Sequence, residues 1–144
     1  MHCSKTMKHA DRLRKLIRAC VDDACTLRHE RKFVNAGHAE ALTLLMRERQ
    51  EFIVALEQRR GAPERRPTGS WTEMLREARR TLWVTAAGPN SGDAISTCRH
   101  SRARTEACYD QALQETWPDE TRLVLATHRQ RLQDETGPLN HLQF

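Results

Sequence analysis

Apolar residues recur at three- and four-residue spacing through most of this chain, and that period constrains its fold more than any other feature. Leu13, Leu16, Ile17, Cys20, Ala24, Leu27 and Val34 form the first such stripe, which falls on one face of a 3.6-residue helix. The spacing predicts a helix over about 8–34, closed by Asn35-Ala36-Gly37 as a left-handed C-cap. A second helix is predicted over about 38–60, with Ala41, Leu45, Phe52, Ala55 and Leu56 inward. So short a link makes the two helices antiparallel neighbours.

Residues 61–69 carry two prolines and two glycines and read as a linker. Ser70 and Glu73 form a capping box for a shorter helix over about 71–86. A further helix is predicted over about 93–116, bearing Ile95, Cys98, Thr105, Tyr109, Ala112 and Leu113. Trp117-Pro118 breaks the chain, with the proline suited to the first turn of a last helix. That helix runs to about 136, with Leu125 and Leu132 inward, before Gly137-Pro138 stops it and 137–144 forms a tail. No strand-like alternation competes. The expected fold is all-α: a single domain over 1–144 with its core over about 8–136, built as a four-helix bundle with an additional short crossing helix.

Composition narrows the setting. No run approaches the eighteen or so apolar residues of a membrane span. The start, MHCSKTMKHADRLRK, lacks the apolar core of a secretory signal, so a cytoplasmic location is expected. The five cysteines (Cys3, Cys20, Cys25, Cys98, Cys108) show no C-x-x-C spacing. They read as small buried hydrophobes, with Cys3 exposed. Cys98, beside Arg99, Arg102 and a helix start, is the thiol whose setting is most electropositive. The net charge of +5 rests on arginines, among them Arg59-Arg60, Arg65-Arg66, Arg79-Arg80, Arg99, Arg102 and Arg104. Nineteen interspersed acids and the lack of an aromatic platform favour a salt-bridged surface over a nucleic-acid site.

Carboxylate-rich bundles hold two-metal centres with a Glu-x-x-His pair on each of two helices, and this sequence contains no Glu-x-x-His. Four polar residues nevertheless interrupt the apolar stripes: Asp23, Glu48, Glu106 and His128. Asp23 and Glu48 are each about twelve residues from the first helix link, and Glu106 and His128 about eleven from the Trp117-Pro118 break. All four reach mid-bundle if the two links lie at opposite ends. They are the candidate ligands of a single metal ion, the cofactor such a set would hold, or the vestige of a two-metal site. The competing interpretation is an ion-pair network in which Arg49, Arg102 and Arg129 neutralise the acids.

Several stretches together resemble an uncharacterised bacterial family of four-helix bundles with a ferritin-like fold. They are Leu16-Ile-Arg-Ala-Cys20-Val-Asp22, Arg47-Glu-Arg-Gln-Glu-Phe52, the Trp71 to Ala86 helix and Tyr109-Asp-Gln-Ala-Leu113. The resemblance covers roughly Leu13 to Leu132. It implies a ferritin-like bundle and little about activity. Where that family tends to have an acidic run beside its Cys, this chain has Thr97-Cys98-Arg99-His100-Ser101-Arg102, which counts against metal chemistry.

No nucleophile elbow, phosphate loop or zinc-protease motif is present. The expectation is a protein without enzymatic activity of its own, acting through helix-face association as a homodimer or with a protein partner. Trp71 and Trp83 are candidates to flank such a face. Two alternatives stand beside it. One is a metal-binding or stress-related ferritin-like protein using the four polar residues. The other is an anion or nucleic-acid binder using the arginines.

Overall fold

The computed structural model describes residues 2–60 and 91–135, with side chains over 7–60 and 94–135. Helix α1 spans His2–Glu30 and runs into a 3-10 turn, Arg31–Phe33. Helix α2 spans Ala36–Arg60, α3 Ser91–Leu113 and α4 Asp119–Asp134. Among the described residues all regular structure is helical. The linker over 61–69, the short helix over 71–86 with Trp71 and Trp83, and the tail over 137–144 lie outside the described residues.

The first link differs from its sequence reading. Val34 is extended, with φ −122° and ψ 166°, and ends the 3-10 turn. Asn35 Oδ1 then accepts the backbone N–H of His38 at 2.8 Å, and its carbonyl accepts that of Ala39 at 2.8 Å. Asn35 therefore opens the second helix rather than closing the first, and Ala36 and Gly37 belong to α2. An Asn side chain satisfies a free N–H at a helix start, and here that role prevails over the left-handed cap.

The second link is built from three contacts. The Pro118 carbonyl accepts the N–H of Arg122 at 2.9 Å. Asp119 and Glu120 lie in the first turn of α4, where the helix dipole favours negative charge. Buried Trp117 donates its indole N–H to the Ala112 carbonyl at 2.6 Å and stacks on His9, with ring centroids 4.2 Å apart.

Helix α1 packs beside α2 and α3, and α4 packs beside α3 and α2, so α1 and α4 are diagonal. Arg12 pairs with Glu115 and Thr105 donates to the Ala19 carbonyl, which runs α3 antiparallel to α1. The pairs Arg59–Glu120 and Arg131–Glu51 run α4 antiparallel to α2. Helices α1 and α4 thus point one way, and α2 and α3 the other. The two links lie at opposite ends of the bundle, and Arg60 and Ser91 do too.

The apolar core is divided in two. The larger part gathers Leu13, Leu16, Ile17, Phe52, Leu56, Tyr109, Leu125 and Leu132 with their neighbours. A smaller one, toward the α1–α2 link, gathers Leu27, Leu42, Ile95 and Cys98. At 1.5 Å per residue, the 29-residue α1 is about 44 Å long and the 16-residue α4 about 24 Å. Helix α4 therefore stops part-way along the bundle, and what it meets there is a buried arginine.

Candidate functional site

Arg49 of α2 occupies a position that its helix spacing assigns to the core. The buried face of α2 is Leu42, Arg49, Phe52, Ile53, Leu56 and Glu57, while Ala41, Leu45 and Ala55 are only partly covered. This is a rotation from the stripe expected from sequence. An arginine at the centre of the face reads as a solvent residue and pulls the apparent stripe to one side.

The guanidinium is 1% exposed and makes three sets of contacts. Its Nε donates to Asp23 Oδ2 of α1 at 2.5 Å. Its Nη1 donates to Glu135 Oε1 at 2.8 Å, and its Nη2 to Glu135 Oε2, so Glu135 is gripped at both oxygens. Nη1 also reaches Glu48 Oε1 at 3.4 Å. The planar fork of arginine suits such paired acceptance. Asp23 and Glu135 are buried, and burial without a counter-charge is strongly unfavourable. Within the ion cluster the Arg49 guanidinium is held far above its usual range by Asp23 and Glu135. Burial pushes the Glu135 carboxyl up to about 8, against the downward pull of Arg49. Asp23 Oδ1 is buried without a hydrogen-bond partner.

Phe52 connects this cluster to a second polar chain. Arg49 Cζ lies 5.3 Å from the centre of the Phe52 ring, and the His128 ring stacks on Phe52 at 3.9 Å and 12°. His128 Nδ1 is 2.8 Å from the Tyr109 hydroxyl, which lies 3.5 Å from Cys20 Sγ. The tautomer of His128 sets donor and acceptor along the whole chain. Each member is shifted toward its neutral form. Burial pushes the Cys20 thiol up to about 12 and the Tyr109 phenol well above its usual range. Burial, with Arg131 and Arg49, holds His128 down at about 4. Groups shifted in these directions are poor nucleophiles and poor proton acceptors near neutral pH.

A pH effect follows for His128. Its folded-state value lies below the ordinary 6.5, so the neutral ring favours folding. That contribution is complete above pH 6.5 and is lost as pH falls toward 4. It amounts to about 3 kcal/mol at its largest. Comparing wild type with His128→Gln by urea unfolding should show the stability gap shrinking by about that amount between pH 6.5 and pH 4. A gap that stays constant over this window would contradict the assignment.

The four sequence-derived candidates are distributed over separate partners. Asp23 and half-buried Glu48 meet on Arg49. Glu106 is held by Arg102 at 2.5 Å and by Arg129 at 3.0 Å. His128 is engaged with Tyr109 and Phe52. The arginines named as competitors in the sequence therefore hold all three acids. Among the described residues no group of three or more His, Cys, Asp and Glu side chains is placed to hold a metal ion.

Two central members were missed as site residues. Glu135 could have been found from the spacing Thr121, Leu125, His128, Leu132, Glu135, all buried on one face of α4 and its end. Tyr109 was read only as core. The electropositive setting expected for Cys98 is not realised: burial, with the negative charges of Asp23 and Glu30, pushes its thiol up. Cys20 and Cys25 are buried and Cys108 partly so, while Cys3 lies outside the described side chains. Of the surface arginines, Arg59 pairs with Glu120, Arg60 with Glu57 and Arg102 with Glu106. Arg65-Arg66 and Arg79-Arg80 lie outside the described residues. No helix among the described residues is long and apolar enough to cross a membrane.

Comparison with protein-family models, with curated proteins and with solved structures gave no match.

Proposed function

We propose that this chain is a cytoplasmic ferritin-like four-helix bundle, allied to the uncharacterised bacterial bundles it resembles, that acts through helix-face association rather than catalysis. The helix directions support the fold. Antiparallel α1/α2 and α3/α4 pairs, with α2 and α3 parallel, match bundles with one long crossover, the ferritin-like arrangement.

The observation that carries the functional reading is the place of Arg49. Bundles with a metal centre bring inward carboxylates together around cations from solution. Here the converging carboxylates Asp23, Glu48 and Glu135 meet a guanidinium supplied by the chain itself, and arginine stays charged at any pH the fold survives. The buried Cys20 thiol, Tyr109 phenol and His128 imidazole are hydrogen-bonded in a chain and held neutral. This favours a structural interior, with function at the outer faces.

Those faces expose Met7, Leu44 and Leu123. Sedimentation velocity over a wide concentration range tests self-association. A reversible dimer, weakened by Leu44→Glu or Leu123→Glu, is expected. A monomer at every concentration would contradict self-association and leave only a different protein as partner.

A further inference from the structure

Past the end of α4, one corner of the bundle is bounded by no described helix. Glu135 meets Arg49, so residues 36–48 of α2 run on beyond α4 toward the α1–α2 link, for about 20 Å at 1.5 Å per residue. Helix α3 runs on as well: Arg102 donates to the Leu132 carbonyl near the end of α4, and the helix begins at Ser91. Helix α1 packs beside both α2 and α3, which do not pack on each other.

The side chains that prolong the α4-facing stripes into this corner are apolar. Leu42 and Leu45 lie two helical turns before Arg49 and Phe52, which meet Glu135 and His128. Ile95 lies two turns before Arg102 on α3. With Leu27 and Cys98 they belong to the smaller core. Leu42 and Cys98 expose no surface, and Ile95 is 2% exposed. Three helices of which two stand apart leave one side of such a layer to water. Burial this complete calls for a fourth wall.

We infer that residues 71–86 of the same chain supply that wall, docked on Leu42, Leu45, Ile95 and Cys98 in line with α4. The length of chain and its two ends favour this segment. Residues 61–90 connect Arg60, at one end of the bundle, to Ser91 at the other. Residues 61–70 reach up to about 33 Å when extended, enough to pass the roughly 24 Å of α4. As the helix read from sequence, 71–86 then covers about 24 Å and ends where α3 begins. It runs in the direction of α1 and α4, antiparallel to both helices it touches. Trp71, Met74, Leu75, Ala78 and Leu82 recur at three- and four-residue spacing and form one stripe, with Arg76, Glu77 and Arg80 on the opposite side. The tail offers less: Gly137-Pro138 stops a helix, and residues 139–144 span only about 9 Å as one. With the corner filled from the same chain, self-association is left to the outer faces.

The test is photocrosslinking of the full chain with p-benzoylphenylalanine in place of Leu45, a partly covered position on this corner, read by peptide mass spectrometry of the monomer band. Crosslinks to residues 71–86 of the same chain are expected. Crosslinks to 137–144 instead, or to a second chain, would overturn the proposal. A second measurement leaves the corner's own side chains intact: iodoacetamide labelling of Cys98, with Cys20 in the larger core as the control for global folding. Leu75→Ala combined with Leu82→Ala should speed Cys98 labelling about tenfold and leave Cys20 unchanged, because only the layer beneath the segment opens. Leu139→Ala combined with Leu142→Ala should change neither rate. An unchanged Cys98 rate in the first variant would overturn the proposal, as would protection of Cys98 that rises with protein concentration.

Discussion

Arg49→Met should destabilise the bundle by about 3–5 kcal/mol in urea unfolding near neutral pH. The substitution keeps most of the aliphatic volume and removes the positive charge that pairs with both Asp23 and Glu135. Both carboxyls lie in the folded interior, so the variant must bury them unpaired or take up protons. Its stability should accordingly improve on mild acidification, as those protons are supplied. A companion variant separates loss of charge balance from loss of shape. Adding Asp23→Leu and Glu135→Leu to Arg49→Met removes the stranded acids as well, and should recover most of the lost stability, since buried ion pairs often exchange for apolar groups at little cost. A loss of less than 1 kcal/mol in Arg49→Met would show that the cluster is solvated and contributes little.

Phe52→Ala should cost a similar amount, about 3–5 kcal/mol, for a different reason. Phe52 is 1% exposed, stacks on His128, meets Tyr109 edge-on at 6.2 Å, and lies under the Arg49 guanidinium. Removing the ring leaves a cavity where the apolar core meets both polar networks. The effects of Phe52→Ala and Arg49→Met should not add, because the two side chains touch and share neighbours. A double-mutant cycle by urea unfolding checks this, and strict additivity would separate the two networks. Phe52→Leu, which keeps much of the volume, should cost less than Phe52→Ala.

Much of this was legible because α1 and α4 carry clean patterns. Six of the seven stripe residues read on α1 are buried, Val34 excepted, and Leu125, His128 and Leu132 share the inner face of α4. That Arg49, Arg102 and Arg129 could neutralise the acids was available from sequence as the ion-pair alternative, but which arginine meets which acid was not. Helix α2 was harder. Burying Arg49 and Glu57 while exposing Leu44 blurs the contrast between its two faces, and the inferred stripe turned toward Ala41 and Leu45. Glu135 was hidden for a second reason. It lies next to Gly137-Pro138, where a stop signal suggests a frayed, solvated end, and only the shortness of α4 brings that end against α2. Asn35 shows the same limit on a smaller scale. The residue suits either side of a link, and the partner of its side chain decides which.

The place of Arg49 among the inward carboxylates is most directly tested by elemental analysis of the purified, untagged protein after incubation with iron, manganese and zinc and extensive dialysis. If the guanidinium is the permanent counter-ion of Asp23, Glu48 and Glu135, no metal should be retained in stoichiometric amount, and none of the three should raise the melting temperature. Near-stoichiometric retention of one metal, abolished by Asp23→Asn or Glu48→Gln, would contradict this and make those carboxylates ligands.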